Sequence, residues 1–347
     1  MKGRVARAPA KGQRVMKRWF SALGMACLLA ATAQPALAEV GEVRITKQPS
    51  IIYLPLVVME HNKLVEKHAR AAGLGEVKMT WVTLTSGGAA TDALLSGSVD
   101  LVTSGVSNLL LLWDRTNGQV MGVTSVGGLP MLLVTRDPDV KTLKDFTPKD
   151  KIAVPTIKVS SQAIVLKMAM EKLYGEASRD KLDPMTVQLG HPDAMTAVVG
   201  GASEVNSHFS APPYQATELK APGVHLVLDS STVFGGPASN AVVFGTRKFC
   251  DANPKTIAAF LAALNEANEL IARDPAAAAH IYLDATREKY ATQDIVEMIK
   301  APNVVYSATP RGTMVFADFM ARTGLIKTRP AAWKDFFLPI VHGLPGT

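Results

Sequence analysis

Along the chain, short runs of β-branched and aromatic residues alternate with stretches that carry apolar positions at helical spacing. The strand-like runs are Val43 to Thr46, Val77 to Thr83, Val99 to Thr103, Val120 to Ser125, Met131 to Thr135, Ile152 to Pro155, Thr186 to Leu189, Val205 to Phe209, Val224 to Leu228 and Ala241 to Gly245. Segments of helix length separate most of them, and this alternation predicts an α/β protein with mostly parallel sheets. From Phe249 the pattern becomes helical only. Asn253-Pro254 reads as an N-cap with proline at the first helical position, and Ile257, Phe260, Leu261, Leu264, Ala267 and Ile271 then share one face. Asp274-Pro275 opens the next helix in the same way. Tandem repeats and low-complexity tracts are absent from the sequence.

Several strand-like runs end in small, polar turns that lead into a helix. Thr85-Ser86-Gly87-Gly88 precedes a helix predicted over Gly88 to Ser96, with Gly97 as its left-handed stop, and Thr103-Ser104-Gly105 follows the next strand. Pro155 to Gln162, containing Lys158, Ser160 and Ser161, leads into a helix from Ala163 to Tyr174 that Gly175 closes. Asn206 to Pro213, containing His208 and Phe209, makes a fourth such turn. In an open parallel sheet the carboxyl ends of strands share one edge, and helices that start there aim unpaired N–H groups and a positive dipole end at the same space. Ser86 has two readings at this stage: a donor to a ligand, or a cap for its own helix. Asp137 and Asp139, on either side of Pro138, read as turn formers.

Charge alters this picture only once the N-terminus is set apart. Lys2, Arg4, Arg7, Lys11, Arg14, Lys17 and Arg18 precede an apolar run from Trp19 to Ala33, and Ala36-Leu37-Ala38 fits signal-peptidase cleavage, so residues 1–38 are expected to be a cleaved export signal. That leader holds seven of the 37 Lys and Arg and none of the 30 Asp and Glu, which leaves 30 of each in the remaining 309 residues. The basic surplus belongs to the leader, and a nucleic-acid partner loses its electrostatic support. Cys250 is the one cysteine beyond the leader, so an intramolecular disulfide is excluded there. No later run is long enough to span a bilayer. A mature chain that is 48% hydrophobic over the full sequence can bury one large core or two medium ones.

Enzyme motifs are missing. The sequence lacks a Gly-x-Ser-x-Gly elbow, His-Glu-x-x-His, Cys-x-x-Cys, a Gly-x-x-x-x-Gly-Lys phosphate loop and Gly-x-Gly-x-x-Gly. The histidines at 61, 68, 191, 208, 225, 280 and 342 show no metal-ligand spacing, and no cofactor is implied.

Three segments together resemble the periplasmic solute-binding proteins of ABC importers in the nitrate, taurine and aliphatic-sulfonate class, which includes binders of thiamine-related pyrimidines. They are "PSIIYLPLVVMEHNKLVEKHARAAGL", "SGGAATDALLSGSVDLVTSG" with Ala93, Leu94, Gly97 and Asp100, and "NPKTIAAFLAALNEANELIARDPAAAAHIYL". The resemblance implies a two-lobed periplasmic binding protein type II fold, each lobe a mostly parallel sheet flanked by helices, with two crossover strands as the hinge. Those crossovers are expected near Leu132 to Arg136 and Ala238 to Arg247, giving lobe one as 39–133 plus 242–347 and lobe two as 134–241. Carried over by position, the pocket falls on Tyr53, Leu54, Ser86, Gly87, Gly88, Ser104, Gly105, Ser160, Ser161 and Phe209, with Phe234 as a further wall and Lys158 and His208 as candidates to neutralise an anion. The implied function is capture of a small organic anion, a sulfonate or carboxylate, or a related small polar solute by a monomer that delivers it to a membrane permease and its ATPase and catalyses nothing. Two alternatives stay open. Fungal thiamine-pyrimidine synthases share the resemblance but carry a cysteine-rich segment absent here, and a binding protein of this kind can also dock on a sensor.

Overall fold

Strands that are not consecutive in the chain pair in two sheets of the computed structural model. The first sheet takes β1 (Glu42–Lys47), β2 (Lys78–Thr83), β3 (Leu101–Ser104) and β4 (Val120–Gly128). The second takes β5 (Leu132–Thr135), β6 (Ile152–Val154), β7 (Thr186–Gln188), β8 (Ser207–Ser210) and β9 (His225–Asp229). The chain then returns to the first with β10 (Ala241–Thr246) and β11 (Val305–Tyr306). Residues 1–6 and 39–347 are described; the fold lies in Val40–Thr347, a unit distinct from Met1–Glu39, and the predicted export signal falls outside the described residues beyond its first six positions.

The two sheets repeat one plan. Their orders are β2-β1-β3-β10-β4-β11 and β7-β6-β8-β5-β9. In each, the strand that the chain makes first after crossing from the other sheet is antiparallel to both neighbours: β10 to β3 and β4, and β5 to β8 and β9. The short edge strand β11 is also antiparallel to β4. The crossings run between Gly128 and Leu132 and between Asp229 and Ala241. Asn240 ties them together, its Nδ2 donating to the Leu129 carbonyl at 2.7 Å and its backbone N–H to Gly127 at 3.1 Å. The result is the mixed α/β, two-lobed fold that the alternation and the resemblance predict.

Helices follow the strands. On the first sheet they are α1 (Leu54–His61), α2 (Leu64–Ala71), α3 (Gly87–Leu95) and α4 (Val106–Arg115); on the second, α5 (Ser161–Tyr174), α6 (His191–Gly200), α7 (Tyr214–Lys220) and α8 (Ser231–Phe234). The C-terminal helices α9 (Arg247–Ala252), α10 (Pro254–Arg273), α11 (Pro275–Thr286), α12 (Thr292–Lys300) and α13 (Thr313–Arg322) complete the chain. Helices on both faces leave central strands no solvent side, so β3, β4 and β8 are buried at every position, and their sequences read as continuous runs. Among the described residues no helix is long and apolar enough to cross a membrane.

Local chemistry ends the elements largely where the sequence implies. Gly97 at φ 72° follows α3 as its left-handed stop, and the Asp274 side chain caps α11 by accepting from Ala277 N at 2.9 Å. Asn253 departs from expectation: its side chain makes no cap bond to α10, because its Oδ1 accepts from Val40 N at 2.9 Å and its Nδ2 donates to the Phe249 carbonyl. The strand read over Val205 to Phe209 begins at Ser207, because Asn206 is spent on a side-chain network with Asp150 and Lys151.

Candidate functional site

The strand ends converge. A cavity of about 550 Å³, counting its mouth, lies where the two sheets face each other. The first sheet contributes Gln48, Pro49, Ser50, Ile52 and Tyr53 after β1, Gly87 after β2, and Ser104, Gly105 and Asn108 at the end of β3 and after it. The second contributes Pro155, Ser160, Ser161 and Gln162 after β6, His191 after β7, and Ala211 and Pro212 after β8. Leu129, Met131 and Asn240, from the two crossings, form the floor.

Helix starts dominate this lining. Gly87, Ser161 and His191 are the first residues of α3, α5 and α6, and Gly105 is the N-cap of α4. Such positions have no acceptor one turn earlier in their own helix, so their N–H groups and the positive dipole ends serve the cavity. The Ser161 hydroxyl is buried and has no hydrogen-bond partner. Lys, Arg, Asp and Glu are absent from the lining. The groups there that can ionise stay neutral: burial pushes the Tyr53 phenol up, and burial followed by the neighbouring His208 pushes His191 well below the usual imidazole range. The remaining wall is apolar, from Ile52, Leu129, Met131 and the prolines.

Close approach is built into the glycines. A Cβ on Gly87 would sit 2.2 Å from Asn108 Nδ2 and 2.3 Å from Ser104 Oγ, the two atoms that bond each other at 2.7 Å. On Gly105 it would sit 2.3 Å from Ser161 Oγ, across the gap. The lobes are bridged around the cavity. Gly88 N donates to Thr156 Oγ1 at 3.2 Å, Ser107 Oγ to the Val159 carbonyl at 2.7 Å, and Ser50 Oγ to the Pro212 carbonyl at 2.8 Å. Farther out, Tyr214 OH donates to Glu288 at 2.7 Å, and Arg322 meets Glu171 at 2.6 Å.

Of the residues singled out from sequence, Tyr53, Gly87, Ser104, Gly105, Ser160 and Ser161 line this cavity together. The others lie elsewhere, each for a local reason. Ser86 caps α3, accepting from Ala89 N at 3.2 Å, and Gly88 spends its N–H on Thr156. Leu54 and Phe209 are fully buried in the core. Lys158 sits in an exposed turn at φ 67°. His208 faces inward from β8, bonded to Glu218 at 2.6 Å and to His191 at 2.8 Å. Phe234 packs on Phe316 at 5.3 Å beside a separate small recess. Sequence reading missed Gln48, Asn108, Gln162, His191 and Asn240. Gly190-His191-Pro192 carried a usable signal, a small residue and a proline at a helix start after a strand. Asn108 and Asn240 carried none, since they act from inside a helix and beside a strand. Among the described residues no cluster of three or more His, Cys, Asp and Glu is placed to hold a metal.

No family model matches the sequence, and no curated protein matches it. Solved structures do. The alkanesulfonate-binding protein SsuA from Xanthomonas axonopodis pv. citri, bound to MOPS, is similar at TM-score 0.67 and 18% identity, over 84% of this chain and 96% of that one. The periplasmic aliphatic sulphonate binding protein SsuA from Escherichia coli gives 0.63 and 19%, over 86% and 92%. The periplasmic nitrate-binding protein NrtA from Synechocystis PCC 6803 gives 0.65 and 15%, over 88% and 86%. At this identity the likeness establishes a shared periplasmic binding protein fold, and these neighbours fall in the class the sequence resembles.

Proposed function

We propose that the protein is the solute-binding subunit of an ABC importer, exported to the periplasm by residues 1–38, and that it captures a small organic anion, a sulfonate or carboxylate, or a related small polar solute for a membrane permease and its ATPase. One observation carries this reading: helix starts from both sheets open onto a single uncharged cavity that holds a buried serine hydroxyl without a partner. Such a cavity stabilises an oxyanion by N–H and O–H donors and leaves no bare cation when empty. Tyr53, Ile52 and Met131 supply surface for an apolar tail. Neighbours that bind sulfonates and nitrate support the same class.

The lobes in this reading are 39–133 plus 242–347 and 134–241, a division that the crossings at 128–132 and 229–241 support to within a few residues. The working unit is a monomer and catalyses nothing. Closed lobes are the form offered to the permease, and a ligand shifts the population toward them. A thermal-shift screen over alkanesulfonates, carboxylates, nitrate and pyrimidines tests the function. A ligand at a hundred times its dissociation constant adds about 2.7 kcal/mol to native stability. A flat response across all four classes contradicts the proposal.

A further inference from the structure

Behind the second lobe's wall of the cavity runs a chain of four buried polar side chains. Glu218 Oε1 lies 2.6 Å from His208 Nδ1, His208 Nε2 lies 2.8 Å from His191 Nδ1, and His191 Nε2 lies 3.3 Å from the Gln162 carboxamide nitrogen. Gln162 and His191 line the cavity; His208 and Glu218 are fully buried. Only one proton can occupy each of these contacts, so the chain points one way or the other.

The Glu218–His208 pair sets the direction. If it is a carboxylate beside a neutral ring, the His208 proton sits on Nδ1, and Nε2 must accept from His191 Nδ1–H. His191 Nε2 is then bare, Gln162 donates to it, and the amide oxygen faces the cavity. If the pair holds one further proton, the outcome is the same wherever that proton lies. With the proton on the carboxyl, His208 Nδ1 accepts and Nε2 carries the ring proton; with it on the ring, both nitrogens carry protons. Either way His208 Nε2–H donates to His191 Nδ1, and His191 carries its own proton on Nε2.

Burial decides between these states. The side chains of Glu218 and His208 are 0% exposed, Glu218 Oε2 has no partner, and among the described residues His208 is the one ion-pair partner of Glu218. Among the described residues the salt bridges give Glu218 no Lys or Arg partner. Tyr214 stacks on His191 at 6.1 Å and turns its hydroxyl to Glu288, while Tyr290 accepts from Thr217 on α7 at 3.0 Å. A net negative pair in this setting is an uncompensated buried charge, far costlier than a neutral one. His191 itself stays neutral, since burial and His208 lower its affinity for a second proton.

We propose that the Glu218–His208 pair, net neutral, positions His191 as the Nε2–H tautomer, so that Gln162 turns its NH2 and not its carbonyl oxygen to the cavity and favours a ligand group that only accepts hydrogen bonds. With Nε2 protonated, the Gln162 amide turns its oxygen to His191 and its NH2 to the cavity. His191 and Gln162 are thereby specificity-determining, and Glu218 and His208 are positioning residues. The inference rests on the oxyanion reading above and extends it.

Nitrogen-15 NMR of the labelled, ligand-free protein at pH 7 tests it without any ligand. The His191 ring is identified by its loss in His191→Gln or, should that variant not fold, by its through-space contact with the His208 ring. Expected is a protonated Nε2 and a bare Nδ1; the reverse tautomer overturns the proposal. Binding of ethanesulfonate gives the second arm. His191→Phe should weaken it about tenfold or more, because Gln162 loses the partner that holds its NH2 toward the charged group of the ligand, and unchanged affinity overturns the role of His191. If ethanesulfonate, acetate and nitrate all fail to bind the wild type, the oxyanion reading fails, and the tautomer still decides the inference.

Discussion

Gly105 shows how a single residue can be reserved for closure. Its φ is −66°, so backbone conformation does not demand glycine; what demands it is Ser161, whose hydroxyl would lie 2.3 Å from an added methyl. Gly105→Ala is therefore expected to leave the melting temperature of the ligand-free protein within a few degrees and to weaken ligand binding about tenfold or more, roughly 1.4 kcal/mol. A calorimetric titration checks it. Phe209 is the opposite case: Phe209→Ala should cost about 3–5 kcal/mol of stability as a core truncation, read by denaturant melting, since the ring is wholly buried. Lys158→Ala should change binding by less than about 0.5 kcal/mol, because the side chain lies in an exposed turn away from the cavity. Gly87, Ser104, Gly105, Ser160 and Ser161 were legible because turn chemistry is local, whereas Ser86 and Gly88 spend theirs on the α3 cap and on Thr156. Phe209 and His208 were not, because which face of β8 they point from depends on register with β5 and β6, and a four-residue strand does not announce it.

At the scale of elements, the sequence discloses strand-turn-helix units but not which units meet. Those leading into α1, α3, α4, α5, α6 and α7 share the cavity; the strand before α6 was read, but the helix start at Gly190-His191 that follows it was not singled out. Pairing of α7 with the segment after α11 is likewise invisible in the chain, since Tyr214 and Glu288 lie 74 residues apart. That contact has a pH signature. Burial raises the Glu288 carboxyl, outweighing the hydrogen bonds from Tyr214 and Tyr282 that lower it. A carboxyl raised in the closed form favours closure below its ordinary value of 4.5, and the contribution is lost as pH climbs through the raised value. Interlobe fluorescence transfer should report a closed population that falls across that window in the ligand-free protein, and Glu288→Gln should abolish the fall.

For the molecule as a whole, the repeated strand order explains why one cavity suffices. A strand reversed after each crossing puts both crossings side by side, joined through Asn240, and turns the carboxyl ends of both sheets toward each other. In the proposed reading a hinge at that seam opens the cavity without disturbing either sheet, and the polar bridges that break are the hydrogen bonds around its rim together with Tyr214–Glu288 and Arg322–Glu171 farther out. The alternation of strands and helices made the α/β class readable, while the seam could be placed only through the family resemblance, because it is set by pairing across more than a hundred residues. The measurement that bears most directly on this account is a crystal structure with the solute that gives the largest thermal shift. It should lie between Gly105 and Ser161, its acceptor atoms within hydrogen-bond distance of the Ser161 hydroxyl and the starts of α4 and α5. A solute bound on any other surface, with that gap empty, would contradict it.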